Sequence, residues 1–138
     1  MERAFLLIGA VSGLIGVALG AFGTHALRTR LPPERLASFE TGVRYQLWHA
    51  LALFAVVLVG SLRMVTGAEW YGLLVSEGTM GWPAALAGWL FVAGTVLFCG
   101  SLYAVALTGN PRWGAVAPVG GTCLLLGWAS LVFAAATA

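Results

Sequence analysis

The chain has 138 residues, of which 60% are hydrophobic and 9% are charged, and its formal net charge is +2. A soluble domain carries about a quarter charged residues and covers its core with a polar surface, which so few charges cannot supply. The composition therefore excludes a water-soluble enzyme, a disordered tail and a disulfide-stapled secreted module. It indicates an integral membrane protein.

The first apolar run extends from Ala4 to Thr24 and contains no charged residue and no histidine. A helix of roughly 20 residues crosses the hydrocarbon core of a bilayer, so we predict a transmembrane span over residues 4–27. The run is longer than the apolar region of a signal peptide, and no convincing cleavage site follows it. Both observations favour a span over a signal.

Glycines recur along this span at alternating intervals of four and three residues, at Gly9, Gly13, Gly16, Gly20 and Gly23. In lipid, helices associate through close backbone approach, which small residues permit. The pattern therefore predicts that a neighbouring helix packs along the whole length of the first span. The alternative is that this glycine seam lines a path for a substrate.

An amphipathic segment over residues 33–45 follows the break at Pro32-Pro33. Apolar side chains recur there at helical spacing, opposite charged ones: Leu36, Phe39, Val43 and Leu47 against Glu34, Arg35 and Glu40. The pattern predicts an elbow between the first two transmembrane helices. This helix either lies at the membrane surface or runs directly into a second span over residues 45–62.

Two further spans are predicted over residues 84–107, after Pro83, and over residues 114–134. The connection over residues 63–82 carries aromatic residues suited to a membrane interface, namely Trp70, Tyr71 and Trp82. Small residues predict packing positions in both helices: Gly100 and Ser101 in the third span, Gly120 and Gly121 in the fourth. Pro118 is also expected at a packing position, with a kink in the fourth helix.

The arginines predict the orientation of the chain in the membrane. Five of them fall in the connections on one side, at Arg28, Arg30, Arg35, Arg44 and Arg112, whereas Arg3 and Arg63 fall on the other. Because cytoplasmic loops carry the excess of basic residues, we expect the N- and C-termini outside the cytoplasm. Such a small charge excess does not indicate nucleic-acid binding.

The candidate functional residues form a polar cluster near the predicted cytoplasmic boundary. His25 ends the first span and His49 opens the second, so the two imidazoles are expected at similar depth if the helices are neighbours. Tyr45 and Gln46 share the face of His49, and Glu40 and Arg44 precede them. Unpaired polar groups are costly at this depth, so they are functional candidates, although such histidines often serve structure alone.

Several observations argue against an enzyme or a cofactor protein. No acidic residue or lysine stands at mid-span, no serine or cysteine has a triad-like partner at its predicted depth, and no glycine-rich phosphate loop follows a strand. Cys99 and Cys123 are predicted to share one layer, where two small apolar side chains in a core are expected rather than a metal or redox pair. The two shallow histidines lack a haem attachment motif, so no metal and no cofactor are predicted.

Four stretches carry a resemblance to a known family: residues 16–27 (GVALGAFGTHAL), 39–50 (FETGVRYQLWHA), 98–103 (FCGSLY) and 118–121 (PVGG), followed by Gly127-Trp128. In these segments the sequence resembles the small bacterial membrane proteins typified by YgdD and YwdK, a family of unknown function with eukaryotic transmembrane relatives. The resemblance implies a four-span protein of the inner membrane. It implies no activity.

We therefore predict an all-α membrane protein, with residues 1–138 forming a single four-transmembrane-helix bundle. The expected function is a non-catalytic accessory or assembly subunit in the bacterial inner membrane, with the bilayer and either further copies or a larger complex as partners. The alternative is a small-solute or proton-linked transporter or channel subunit that uses the His25 and His49 cluster.

Overall fold

A computed structural model describes residues 1–65 and 80–137. Four α-helices are present in these residues: α1 (Glu2–Phe22), α2 (Pro33–Val65), α3 (Trp82–Thr108) and α4 (Ala117–Ala136). A π-helix (Gly23–Leu27) extends α1, and a 3-10 helix (Pro111–Val116) precedes α4. Each of the four helical segments is long and apolar enough to cross a bilayer, which confirms the predicted all-α membrane fold.

The elbow and the second span form one helix. α2 runs without interruption from Pro33 to Val65, so of the two predicted arrangements the structure shows the continuous one. Its 33 residues extend roughly 50 Å at ~1.5 Å per residue, which exceeds the thickness of the hydrocarbon core. Trp70 and Tyr71, expected at the opposite interface, lie outside the described residues.

The turn between α3 and α4 follows from local sequence. Gly109 adopts a left-handed conformation with φ 71° and donates its N–H to the carbonyl of Val105, which ends α3. The side chain of Asn110 then accepts a hydrogen bond from the backbone of Arg112 and starts the 3-10 helix. α4 therefore folds back antiparallel to α3.

Pro118 does not have to kink α4, although a kink was predicted there. Pro118 lies in the first turn of α4, where a backbone N–H has no partner within the helix, so the proline removes no helical hydrogen bond there. The carbonyl of Pro118 accepts a hydrogen bond from the Thr122 hydroxyl at 2.9 Å. The 3-10 helix gives way to α4 one residue before Pro118.

Packing is most extensive between helices that follow one another in the chain. α3 and α4 approach most closely at Gly120, where an added Cβ atom would lie 2.4 Å from the backbone nitrogen of Phe98. Gly94 and Gly127 make similar room for Leu124 and Phe91, whereas Gly121 has the Phe98 ring at ordinary contact distance. Small residues thus let these two backbones come together.

The glycine seam of α1 faces α2 over most of its length. An added Cβ would meet Ala50 or Leu53 at Gly9, Leu47 at Gly16, Val43 at Gly20 and Phe39 at Gly23. Gly13 departs from the predicted pattern, because no described atom lies within 4 Å of a Cβ placed there. Gly100, a predicted packing position on α3, also has no atom within 4 Å of an added Cβ, and it is exposed.

α1 meets α3 at one end of the molecule through Phe5. The Phe5 ring is fully buried, lies over Gly88 and makes an edge-on contact with Trp89, with ring centroids 5.4 Å apart. Phe5 belongs to the larger of two apolar clusters, which continues through α2 and α4. The smaller cluster, around Phe39 and Ala106, lies at the opposite end beside the turns.

Candidate functional site

Gln46 joins three helices through its carboxamide. Its Nε2 donates to the backbone carbonyl of Ser12 on α1 at 2.9 Å, and its Oε1 accepts from the Tyr103 hydroxyl of α3 at 2.8 Å. Gln46 itself is 7% exposed, so these bonds compensate for a polar group removed from water. The contact fixes α1 and α3 against α2 at one level.

His49 lies one turn further along α2 and links that helix to α4. Its Nδ1 lies 2.7 Å from the carbonyl oxygen of Tyr45, and its Nε2 lies 3.2 Å from the indole nitrogen of Trp128. An indole N–H can only donate, so Nε2 accepts and Nδ1 carries the proton that it donates to Tyr45. The neutral imidazole of His49, with its proton on Nδ1, can therefore form both hydrogen bonds.

Aromatic rings surround His49. Its ring centroid lies 5.4 Å from that of Phe91, 6.0 Å from that of Tyr45 and 6.1 Å from that of Trp128. Phe91 and Trp128 also meet edge-on, at 5.1 Å. The imidazole is therefore held by packing as well as by hydrogen bonds.

His25 and His49 are not brought together. Gly23 packs against Phe39, so the antiparallel α1 and α2 place His25 beyond the level of Phe39. His49 lies ten residues further along α2, which corresponds to a separation of about 15 Å along the helix axis. His25 is exposed in the π-helix, whereas His49 is buried.

Glu40 and Arg44 also lie apart from the buried polar residues. Both are exposed and border a shallow cavity of about 310 Å³ on the outer side of the α1–α2 contact, together with Thr24. Tyr45, half-buried, packs its ring on Phe98 at 4.7 Å and contributes its carbonyl to His49. The predicted cluster thus separates into two places, a buried pair at Gln46 and His49 and an exposed pair at Glu40 and Arg44.

Three contributors were missed at the sequence level. Tyr103 and Trp128 lie in segments that carry the family resemblance, but their spacing did not indicate that Tyr103 bonds to Gln46 and Trp128 to His49. Arg35 was assigned to the polar face of the elbow, yet its Nε donates to the carbonyl of Ala106 at 2.7 Å. That carbonyl belongs to the last turn of α3, where a cation is favourable because helix carbonyls are unpaired there.

Two cavities lie on either side of His49. One, of about 520 Å³, is a groove between α1 and α3 whose floor is formed by α2. The other, of about 740 Å³, lies between α2 and α4 and is lined by aromatic residues that include Trp48 and Trp128. Cys99 faces the first cavity, and both cysteines are free thiols.

The described residues contain no group of three His, Cys, Asp or Glu side chains that could hold a metal ion. Gln46 and His49 use their polar atoms to join helices. The chemistry that this arrangement supports is hydrogen bonding between helices.

A chain of four apolar, closely packed helices is a polytopic membrane protein, and comparison with known proteins gives its family. The family model described as "Protein of unknown function (DUF423)" matches residues 19–121. The chain belongs to this family. The UPF0382 membrane protein YwdK of Bacillus subtilis is 36% identical to it over 133 residues, which cover 96% of both proteins.

Other relatives show the same extent of similarity. The UPF0382 inner membrane protein YgdD of Escherichia coli K12 is 35% identical over 134 residues, covering 97% of this chain and 90% of the relative. A UPF0382 membrane protein of Staphylococcus epidermidis is 33% identical over 132 residues, covering 96% and 94%. No solved structure matches the chain. The predicted family resemblance is confirmed, and the family description assigns no activity.

Proposed function

We propose that this protein is a non-catalytic subunit of the bacterial inner membrane that supports the assembly of a larger membrane complex. The observation that supports this best is the use of the buried polar side chains. Gln46 and His49 bond to Ser12, Tyr103, Tyr45 and Trp128, and these bonds connect all four helices. Both side chains thus have a structural use within the protein that requires no substrate.

The outer surface of α1 supports a role in association. α1 packs mainly on α2, and its other faces present large apolar side chains, among them Leu14 and Val17. In lipid such a surface gains little from hydrophobicity alone, but a neighbouring membrane helix can pack on it.

Location and orientation complete the proposal. YgdD, the relative from Escherichia coli, is named an inner membrane protein, and we place this chain in the same membrane. The arginine-rich ends of the helices, with Arg28, Arg30 and Arg44 exposed at one of them, face the cytoplasm in this arrangement. Both termini then lie on the other side.

The transporter alternative requires polar groups that can exchange protons or contact a solute. The axial separation of His25 from His49 and the bonding of both His49 ring nitrogens weigh against it. Proton flux into proteoliposomes, followed with an internal pH dye, distinguishes the two functions. We expect no flux above that of empty vesicles. A flux that the His49→Phe variant abolishes would contradict our proposal.

The association itself is tested at native expression level. The chain, tagged at its chromosomal locus, is extracted in a mild detergent and sized on a native gel beside the purified, overexpressed protein. We expect the native-level protein to migrate as a larger assembly with a constant set of membrane partners or copies. Migration as a monomer in a micelle, with the same mobility after crosslinking in intact membranes, would refute the proposal.

A further inference from the structure

The groove between α1 and α3, the cavity of about 520 Å³ described above, opens sideways toward the bilayer. Its rim is formed by exposed apolar side chains on both helices, with Leu7 and Val96 each 67% exposed. Its floor is formed by the buried α2 residues Gln46, His49 and Leu53. At one end the contact of Phe5 with Gly88 closes the space between the helices.

The chemistry of the lining favours a hydrocarbon occupant. Leu7, Val11, Val92 and Val96 supply apolar walls, and the polar atoms of Gln46 on the floor already bond to the protein. Apart from the hydroxyl groups of Ser12 and Thr95, the lining offers a polar solute few partners to replace the hydration that it loses on entry. A hydrocarbon chain gains contact with the walls at no such cost.

The size of the groove suits a single lipid chain. The α1 part of the lining extends from Leu7 to Ile15, a length of about 12 Å at ~1.5 Å per residue. The volume of about 520 Å³ lies within the ~300–1,000 Å³ typical of small-ligand sites. A hydrocarbon chain is also much narrower than a helix, whose diameter with side chains is about 10 Å, so the chain needs less room between α1 and α3.

We infer that this groove binds one acyl chain of a membrane phospholipid, which enters laterally between α1 and α3. The level of the groove supports a lipid from the leaflet on the arginine-rich side. Gln46, on the floor, lies two residues after the exposed Arg44, where charged residues begin along α2. The chain would extend from this level toward the closed end at Phe5. This inference concerns a ligand and goes beyond the proposed assembly role.

Two glycines with open space around an added Cβ offer a matched pair of variants. Gly100 lines the groove and has no atom within 4 Å of an added Cβ, so Gly100→Leu places a side chain in its mouth without a clash at the Cβ. Gly13 has the same open surroundings but does not line the groove. Gly13→Leu therefore controls for the effect of adding a leucine to a lipid-exposed helix.

The experiment uses proteoliposomes of phosphatidylethanolamine and phosphatidylglycerol, with a phosphatidylethanolamine that carries a photoreactive diazirine on its acyl chain. After illumination, labelled residues are located by mass spectrometry. We expect labelling concentrated on the groove-lining parts of α1 and α3. Gly100→Leu should reduce it about tenfold, because a leucine-sized group displaces that much of the chain's apolar contact, and Gly13→Leu should leave it unchanged.

Three results would overturn the inference. They are even labelling of all four helices, equal labelling of wild type and Gly100→Leu, and a crosslink in the groove to a second protein copy in place of lipid. Far-UV circular dichroism verifies that both variants are folded. If Gly100→Leu does not fold, Val96→Phe, at the exposed rim, narrows the same opening and is judged by the same criteria.

Discussion

The closest approach of α3 and α4 gives a sharp prediction about stability. In Gly120→Ala, the new Cβ would lie 2.4 Å from the backbone nitrogen of Phe98 and 2.8 Å from its Cα, where ordinary contact begins at 3.4 Å. Backbone atoms cannot turn aside as a side chain can, so the two helices must separate by about 1 Å, the difference between 2.4 and 3.4 Å. The interface between α3 and α4, the most extensive among the described helices, is then less closely packed.

The expected cost follows from two opposing effects. Overpacking destabilises by about 1–3 kcal/mol, while alanine is a better helix former than glycine by about 0.5–1 kcal/mol. The net range is about 0–2.5 kcal/mol, and we therefore expect Gly120→Ala to lower the free energy of unfolding by about 1 kcal/mol. Gly13→Ala, which meets no described atom, gains the helix preference without the clash and should be at least as stable as wild type.

Reversible unfolding in mixed micelles, followed by circular dichroism during titration with a denaturing detergent, measures both variants under one condition. The order of stability is the decisive result. Equal stability of the two variants, or a more stable Gly120→Ala, would show that α3 and α4 are not held at this distance in the folded protein.

Three further predictions test the polar contacts and the orientation. Trp128→Phe keeps an aromatic ring but removes the N–H that bonds His49 together with part of the indole, and the same titration should show a loss of about 0.6 kcal/mol or more, the lower figure being typical of such bonds in membranes; no loss would refute the bond. Arg35→Met removes the hydrogen bond to the carbonyl of Ala106 and should cost about 1 kcal/mol, whereas Arg30→Met, at an exposed position, should cost less. Green fluorescent protein fused after the C-terminus should stay dark while alkaline phosphatase fused there is active, and the reverse pattern would refute the proposed orientation.

The apolar runs determined most of the fold prediction. Stretches of about 20 uncharged residues have few alternatives to a membrane-spanning helix, because a backbone in lipid must satisfy its hydrogen bonds internally. The spacing of the glycines similarly predicted a contact face on α1, since close approach in lipid needs small residues. Gly13 and Gly100 departed from that pattern because a small residue permits an approach but does not require one.

The candidate site was predicted less well, for a reason of geometry. His25 and His49 were expected at one depth because the second span was predicted to begin at residue 45. In the structure α2 begins twelve residues earlier, at Pro33. Because the elbow is part of α2, the end of α1 packs beside Phe39 and leaves His25 far from His49. The partners of Gln46 and His49 come from α3 and α4, and single-sequence patterns do not specify which residues of distant helices meet.

The packing of each helix on its successor has a consequence for biosynthesis. A chain emerging from the ribosome at about 5–20 residues per second presents α1 first, then α2, then α3. Since the extensive interfaces join consecutive helices, each of α2, α3 and α4 finds one helix that it packs on already in place when it is inserted. Native pairs can therefore form in the order of translation. The bond of Gln46 to Tyr103 can then form once α3 has entered the bilayer, whereas the bond of His49 to Trp128 must wait for α4.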